Sequence, residues 1–184
     1  MNASMERRPA STLALFLAGL QAGMIAVFWM LAWMGVSAKW QRKSFWSAEN
    51  LMACVLRGNS AIRDGFASST LSGIALYLLI YSLLGAIFAL LVRDRFTRKG
   101  MLLVGIFYSV GWYTLWFRDL GRTFMPLVWL LHSERATVVG HVIFGAMLQR
   151  FPRFLPGGRP SGSVPTEPAV VETAGVPTQS DTDS

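Results

Sequence analysis

Four long stretches of this 184-residue sequence contain no lysine, arginine, aspartate or glutamate. They cover 12–36, 71–92, 101–117 and 136–148, and the basic residues lie in the gaps between them. Charged residues make up only 15% of the chain, whereas they make up about 25% of soluble domains. Because a helix needs about 20 apolar residues to cross ~30 Å of hydrocarbon, this pattern predicts a polytopic membrane protein and excludes an ordinary soluble domain.

Residues that carry chemistry are also scarce. Cys54 is the only cysteine, which excludes an intramolecular disulfide. The charge-free stretches hold no carboxylate, and the chain has neither a glycine-rich phosphate loop nor a Gly-x-Ser-x-Gly nucleophile elbow. We therefore predict no catalytic residue, no metal site, no cofactor and no enzymatic activity.

The lengths of the stretches predict an all-α integral membrane protein with four transmembrane helices. The membrane domain is expected to cover 12–155, between a cytoplasmic N-terminal arm at 1–11 and a tail at 156–184. The predicted spans are about 12–36, 68–92, 101–117 and 133–150.

The first and last spans admit other interpretations. The apolar run at 12–36 has 25 residues, enough to cross with some tilt, whereas a signal peptide has an apolar core of about 7–15 residues. We favour a retained span, with cleavage after Ala38 as the alternative. The fourth span has 13 charge-free residues. It crosses only if the charged side chains at its two ends snorkel to the surfaces.

Two segments between the spans are apolar but too short to cross. Residues 44–57 carry apolar side chains at helical spacing on one face, which predicts a helix lying in the membrane interface, with a short helix packed on the bundle as the alternative. Residues 123–131 contain Pro126 and a short apolar run, and we predict an interfacial or re-entrant segment. The tail is rich in proline, glycine, serine and threonine and has no aromatic residue, which predicts disorder.

Spans two and four contain a similar short sequence. Residues 81–86 read Tyr-Ser-Leu-Leu-Gly-Ala, and residues 141–146 read His-Val-Ile-Phe-Gly-Ala. Each span follows a predicted interfacial segment, so the chain divides into two units of span, interfacial helix and span. A unit that crosses twice returns to its starting side, and the two units would therefore be parallel hairpin repeats.

The distribution of charge predicts an orientation and a partner. Residues 1–160 carry 17 basic and six acidic residues (17 − 6 = +11), and the remaining four acids give the rest of the tail −4. Four basic residues in the short turn 93–100 predict, by the positive-inside rule, that both termini are cytoplasmic in a bacterial inner membrane. Because the charges are spread over several loops, we predict contact with lipid rather than nucleic acid. The predicted head-group contacts are Lys39, Arg42, Lys43, Arg93, Arg95, Arg98 and Lys99.

Every predicted span has a face of small residues, at which membrane helices pack closely. The pair Gly19 and Gly23 in span one has the Gly-x-x-x-Gly spacing. Packing within one chain is the first interpretation, and a homodimer seam through these two glycines is the alternative. The predicted packing residues are Gly19, Gly23, Gly85, Gly140 and Gly145.

His141 is the one side chain within a predicted span that titrates near neutrality. Ionisable residues inside a membrane mark candidate functional sites. The alternatives are a neutral structural histidine, a ligand of a haem or pigment metal, a proton relay, and a hydrogen-bond partner of Gln21. With Tyr81, these residues form the predicted intramembrane polar site.

Part of the sequence resembles a known group of proteins. The residues concerned are Phe45-Trp46, Asn50-Leu51, Gly65-Phe66, Gly73, Gly85, Gly140-His141 and Phe144-Gly145. Their pattern is similar to that of uncharacterised four-span bacterial inner-membrane proteins, over roughly 10–150. The resemblance implies a four-span architecture and a bacterial origin, and it implies no activity.

Three functions remain as hypotheses. The first is a non-enzymatic accessory, scaffold or lipid-interface protein that contacts the bilayer and other membrane subunits or its own copies. The second is a small oligomeric transporter or channel built around Gln21, Tyr81 and His141. The third is a lipid-modifying enzyme that uses His132 and Glu134, beside Asp119.

Overall fold

The computed structural model describes residues 11–62, 65–93 and 95–155, and within these ranges the chain is helical without β-strands. The predicted all-α fold is confirmed for this part of the chain. The helices are α1 (Thr12–Trp40), α2 (Ser47–Arg57), α3 (Ser68–Val92), α4 (Arg98–Phe124), α5 (Pro126–Leu131) and α6 (Glu134–Leu148). Short 3₁₀ turns follow α2 and α6, at Gly58–Ala61 and Phe151–Phe154.

Three helices, α1, α3 and α4, are long and apolar enough to cross a membrane. The bounds of α3 are those predicted for the second span. Both α1 and α4 are longer than predicted, and α4 contains π-helical turns over Thr114–Leu120 before its last α-helical turn, Gly121–Phe124. By contrast, α6 has 15 residues, or about 22 Å of helix. Its length alone therefore does not make it a span.

The predicted interfacial segments form short helices outside the long ones. Residues 44–57 contain α2, and residues 123–131 contain α5. The predicted disordered tail at 156–184 lies outside the described residues, as does the arm except for Ser11.

Side-chain caps begin two of the long helices. The Ser11 hydroxyl accepts a hydrogen bond from the Ala14 amide (3.2 Å), and the Thr97 hydroxyl accepts one from the Gly100 amide (3.3 Å). Each cap satisfies an amide that has no partner within its own helix. The two residues therefore fix where α1 and α4 begin.

Glycines let α1 and α3 pack backbone against backbone. A Cβ atom at Gly85 would lie 2.5 Å from the carbonyl oxygen of Gly19 and 2.7 Å from Cα of Gly23. Such close approach is how helices associate in hydrocarbon, where the hydrophobic effect does not drive them together. Because α3 covers both glycines of α1, no space is left at these two positions for a second copy of the chain.

A second close contact joins α4 to α6. Gly105 and Gly145 face each other, and a Cβ atom at either would collide with the carbonyl oxygen of the other. Gly140 instead faces α1, where a Cβ atom would lie 3.1 Å from Cγ of Met30. Thus α6 packs against both α4 and α1, and the long helices form one bundle.

Polar contacts hold α2 against the start of α3. The Thr70 hydroxyl donates to Oδ1 of Asn50 (2.6 Å), and Nδ2 of Asn50 donates to the Gly65 carbonyl (3.0 Å). Gly73 lies directly against the backbone carbonyl of Glu49, where no side chain would fit. The helix α2 is thereby fixed over the N-terminal turns of α3.

Candidate functional site

Tyr81 of α3 and His141 of α6 meet inside the bundle, each 1% exposed. The Tyr81 hydroxyl lies 2.8 Å from Nε2 of His141, and Nδ1 of His141 lies 2.8 Å from the Thr137 carbonyl oxygen. Because a carbonyl can only accept, Nδ1 carries a proton, and in the neutral ring Nε2 then accepts from the hydroxyl. These two bonds hold the ring in one tautomer and one orientation.

Aromatic rings surround this pair. The ring of Phe144 lies edge-on to Tyr81 at 5.0 Å between centroids, and Tyr113 and Phe117 lie 5.3 and 6.1 Å from His141. The Ser109 hydroxyl donates to the backbone carbonyl of His141 (2.7 Å), which ties α4 to the same turn of α6. The pair is therefore buried among side chains of α4 and α6.

Only two of the three predicted polar residues come together. Gln21 lies on the exposed face of α1. The hydrogen bond predicted between Gln21 and His141 does not form, because both ring nitrogens of His141 have other partners. A metal ion at Nε2 would first have to displace the Tyr81 hydroxyl.

An apolar cavity of about 250 Å³ lies next to the buried pair. Its walls come from the C-terminal turns of α1, from α2, from the last turns of α4, from α5 and from the start of α6. Tyr77 and Thr137 also line it, and each precedes a member of the buried pair by one helical turn. The cavity thus lies one helical turn from the tyrosine–histidine pair, and neither Tyr81 nor His141 lines it.

A wider polar recess of about 630 Å³ adjoins this cavity. The two share Lys43, Ser47, Leu51 and Leu131 in their walls. The recess also has Lys39 and Arg42, and among the described residues that line either space there is no carboxylate. An apolar chamber therefore lies beside a basic one, and we call the two together the α2–α5 pocket.

The predicted head-group residues fall into two groups. Lys39, Arg42 and Lys43 lie at the α2–α5 pocket, where Nζ of Lys43 donates to the Leu131 carbonyl (3.4 Å). The other group lies between α3 and α4, where its members are exposed: Arg93, Arg95, Arg98 and Lys99. Only the first group adjoins one of the two spaces.

The predicted interfacial cluster of His132, Glu134 and Asp119 is not assembled. His132 stacks on Phe117 at 5.1 Å, its Nδ1 contacts the Trp129 carbonyl, and its buried Nε2 has no hydrogen-bond partner. Glu134 and Asp119 are exposed and make no hydrogen bond with the imidazole. The geometry of an acid–base pair is therefore lacking here.

Glu49 is a buried polar residue that the sequence analysis did not place in a site. Its side chain is 2% exposed in the first turn of α2, and its Oε2 has no hydrogen-bond partner among the described residues. Burial raises the pKa of this carboxyl group to about 7. In the sequence, Glu49 is an acidic residue within an amphipathic helix pattern, where such a residue is expected to face solvent. The pattern therefore gives no indication that its side chain is buried.

Among the described residues, no group of three His, Cys, Asp or Glu side chains could hold a metal ion. The bundle, the three helices able to cross a membrane and the apolar cavity define the class of the molecule as a helical membrane protein. No protein-family model, no curated protein and no solved structure matches the chain.

Proposed function

We propose that this protein is a four-span component of the bacterial inner membrane that binds lipid in the α2–α5 pocket and catalyses no reaction. Both termini are cytoplasmic in this proposal, and α6 is the fourth span. The support for four spans comes from equivalent contacts in the two halves of the chain, α1–α3 and α4–α6.

The glycine contacts of the two halves correspond. In the first half, Gly85 of α3 lies against Gly19 of α1, and in the second half Gly145 of α6 lies against Gly105 of α4. Gly85 and Gly145 are also the equivalent positions of the similar sequences 81–86 and 141–146. This correspondence makes α6 the counterpart of α3, a helix able to cross the membrane.

The same correspondence extends one turn further. In the first half, a Cβ atom at Gly23 would lie 2.6 Å from the carbonyl oxygen of Tyr81. In the second half, Ser109 occupies the matching place, four residues after Gly105, and its hydroxyl donates to the His141 carbonyl. The two equivalent residues, Tyr81 and His141, then bond to each other where the halves meet.

The apolar cavity is the observation that carries the lipid-binding function. An engineered cavity of about 150 Å³ with an apolar lining binds small hydrocarbons such as benzene. The cavity here is larger, at about 250 Å³, and two short helices bound it at the ends of the long ones. A bilayer supplies acyl chains at that position, so a lipid chain is the occupant that best fits its chemistry.

Purification in mild detergent followed by native mass spectrometry tests this function. The full-length protein is expected to retain lipid, and Ala48→Phe is expected to reduce the retained lipid by filling the cavity that Ala48 lines. Ala75→Phe is the matched control, because Ala75 lies on the exposed face of α3 and does not line the cavity. Equal lipid retention by the two variants would contradict the proposal.

The other two hypotheses have less support from the geometry. A transporter that uses Gln21 together with Tyr81 and His141 would need Gln21 at a contact between copies, because Gln21 is exposed on α1. A lipid-modifying enzyme would need His132 to gain a partner that neither Glu134 nor Asp119 provides.

A further inference from the structure

We propose that the α2–α5 pocket selects an anionic lipid, whose acyl chain enters the apolar cavity and whose head group lies against Lys39, Arg42 and Lys43. This inference rests on the proposed lipid-binding function and adds the chemical class of the ligand. An amphiphile of this kind needs an apolar chamber for its chain and a cationic chamber beside it for its head group.

The adjacency of the two chambers is the first support. Both are lined by Lys43, Ser47, Leu51 and Leu131, so the apolar cavity and the basic recess meet at these residues. Ligand sites in proteins are commonly apolar with a few polar groups that fix orientation. Here Lys39 and Arg42 line the recess alone and Lys43 lies where the two chambers meet, which sets the direction of an amphiphile.

The charge of the recess is the second support. Lys39, Arg42 and Lys43 are exposed in the last turn of α1 and the loop after it, and the described residues of the lining offer them no carboxylate. Cations that have no carboxylate among the described residues of the lining attract a phosphate or carboxylate head group. A zwitterionic head group satisfies the same three charges less well.

The backbone at Arg42 is the third support. The Lys43 amide donates to the Ala38 carbonyl (2.9 Å) and the Arg42 amide to the Lys39 carbonyl (3.0 Å), which is the Schellman motif. This motif puts Arg42 at φ 57°, the left-handed position that glycine normally occupies. An arginine at this φ is less stable than a glycine would be, but it places a cation in the recess.

The test measures lipid bound to the full-length protein by native mass spectrometry, with phosphatidylglycerol, phosphatidylcholine and oleate as probes. The first variant is Arg42→Gly, which removes a cation and suits φ 57°, so thermal stability should be unchanged or higher. The second, which we call the triple variant, combines Lys39→Gln, Arg42→Gly and Lys43→Gln. Its matched control removes three cations from the other end of the bundle: Arg95→Gln, Arg98→Gln and Lys99→Gln.

The triple variant is expected to bind phosphatidylglycerol roughly tenfold or more weakly, since each Lys or Arg contributes to the attraction. The control variant should change binding less than about twofold. Oleate and phosphatidylglycerol should compete for one site if the anionic head group is what the recess recognises. Phosphatidylcholine that competes equally well, or equal losses in the triple variant and its control, would overturn the inference.

Failure of this inference differs from failure of the proposed function. If Ala48→Phe abolishes lipid retention while the triple variant keeps the head-group preference, the pocket binds lipid but the cations do not select it. If neither variant changes lipid retention, both proposals are wrong.

Discussion

At the scale of single residues, the carboxyl group of Glu49 is placed where its charged form is unfavourable. It is 2% exposed, its Oε2 has no hydrogen-bond partner, and its backbone carbonyl lies against Gly73 of α3. Burial penalises the carboxylate and raises the pKa from 4.5 to about 7. The folded protein therefore binds this proton more tightly than the unfolded chain does.

A pH-dependent stability follows from this shift. Between pH 4.5 and about pH 7 the folded state holds more protons than the unfolded state, so the free energy of unfolding decreases as the pH rises through this window. The contribution is complete below pH 4.5 and lost above about pH 7, and it amounts to at most about 3 kcal/mol. Thermal unfolding in detergent between pH 4.5 and pH 8 measures it.

Glu49→Gln is expected to abolish this decrease and to raise the melting temperature above pH 7, because the amide is neutral throughout. Glu134→Gln, at an exposed position on α6, is the control and should retain the decrease. A Glu49→Gln variant whose stability still decreases over the same pH range would show that another group is responsible.

The members of the polar site illustrate what sequence can predict at this scale. Residue type and span predict Tyr81 and His141, and they do form a hydrogen bond. The same criteria predict Gln21, which is exposed. Gln21 is two residues from both Gly19 and Gly23, so it points away from the small-residue face of α1 that packs on α3, and residue type alone ignores this.

At the scale of elements, the contact between α1 and α3 leaves no space at Gly85. A methyl group there would lie 2.5 Å from the Gly19 carbonyl oxygen and 2.7 Å from Cα of Gly23. Both are backbone atoms, which cannot rotate away as a side chain can. Gly85→Ala should therefore separate the two helices and destabilise the protein by about 1–3 kcal/mol, as overpacked substitutions do. Thermal unfolding monitored by circular dichroism would measure the loss.

Gly111→Ala is the matched control for this substitution. Gly111 is also within a long helix, α4, and an added Cβ atom there would meet nothing within 4 Å. Alanine is the better helix former by up to about 1 kcal/mol, so the control should be neutral or stabilising. Equal destabilisation by the two substitutions would mean that close packing at Gly85 does not stabilise the bundle.

Helix positions were easier to predict than helix lengths. The charge-free stretches located α1, α3 and α4, because hydrocarbon excludes charged side chains from a span. The end of α4 was missed, since Arg118, Asp119 and Arg122 lie within its last turns. The predicted span ends before the first charged residue, Arg118, whereas a helix that extends beyond the hydrocarbon can continue through charged residues.

At the scale of the whole molecule, the pocket depends on the meeting of elements that are far apart in sequence. Its walls combine the end of α1, one face of α2, Tyr77 of α3, the end of α4, α5 and the start of α6. The sequence predicted both interfacial segments, but periodicity within a segment gives no information about where another segment packs. The cavity could therefore be found only from the folded structure.

The two halves of the chain are parallel only if there are four spans. Cysteine labelling measures the number of spans. In a Cys54→Ser background, a single cysteine replaces one exposed residue at a time: Gln41, Arg95, Arg135 or Arg153. Intact cells that express each variant are then treated with a membrane-impermeant maleimide. Four spans with cytoplasmic termini predict labelling from outside at 41 and 135, and at 95 and 153 only after the membrane is disrupted.

The critical position in this experiment is 153, beyond the short helix α6. The 15 residues of α6 reach about 22 Å, so a crossing requires that charged ends snorkel or that the bilayer thins. If α6 does not cross, Arg153→Cys will be labelled together with Arg135→Cys, and the chain has three spans.

Labelling at 95 and 153 alone would preserve four spans and reverse the orientation, which would expose the basic recess to the cytoplasmic leaflet. That leaflet carries anionic lipid, so the same experiment also indicates which lipids can reach Arg42.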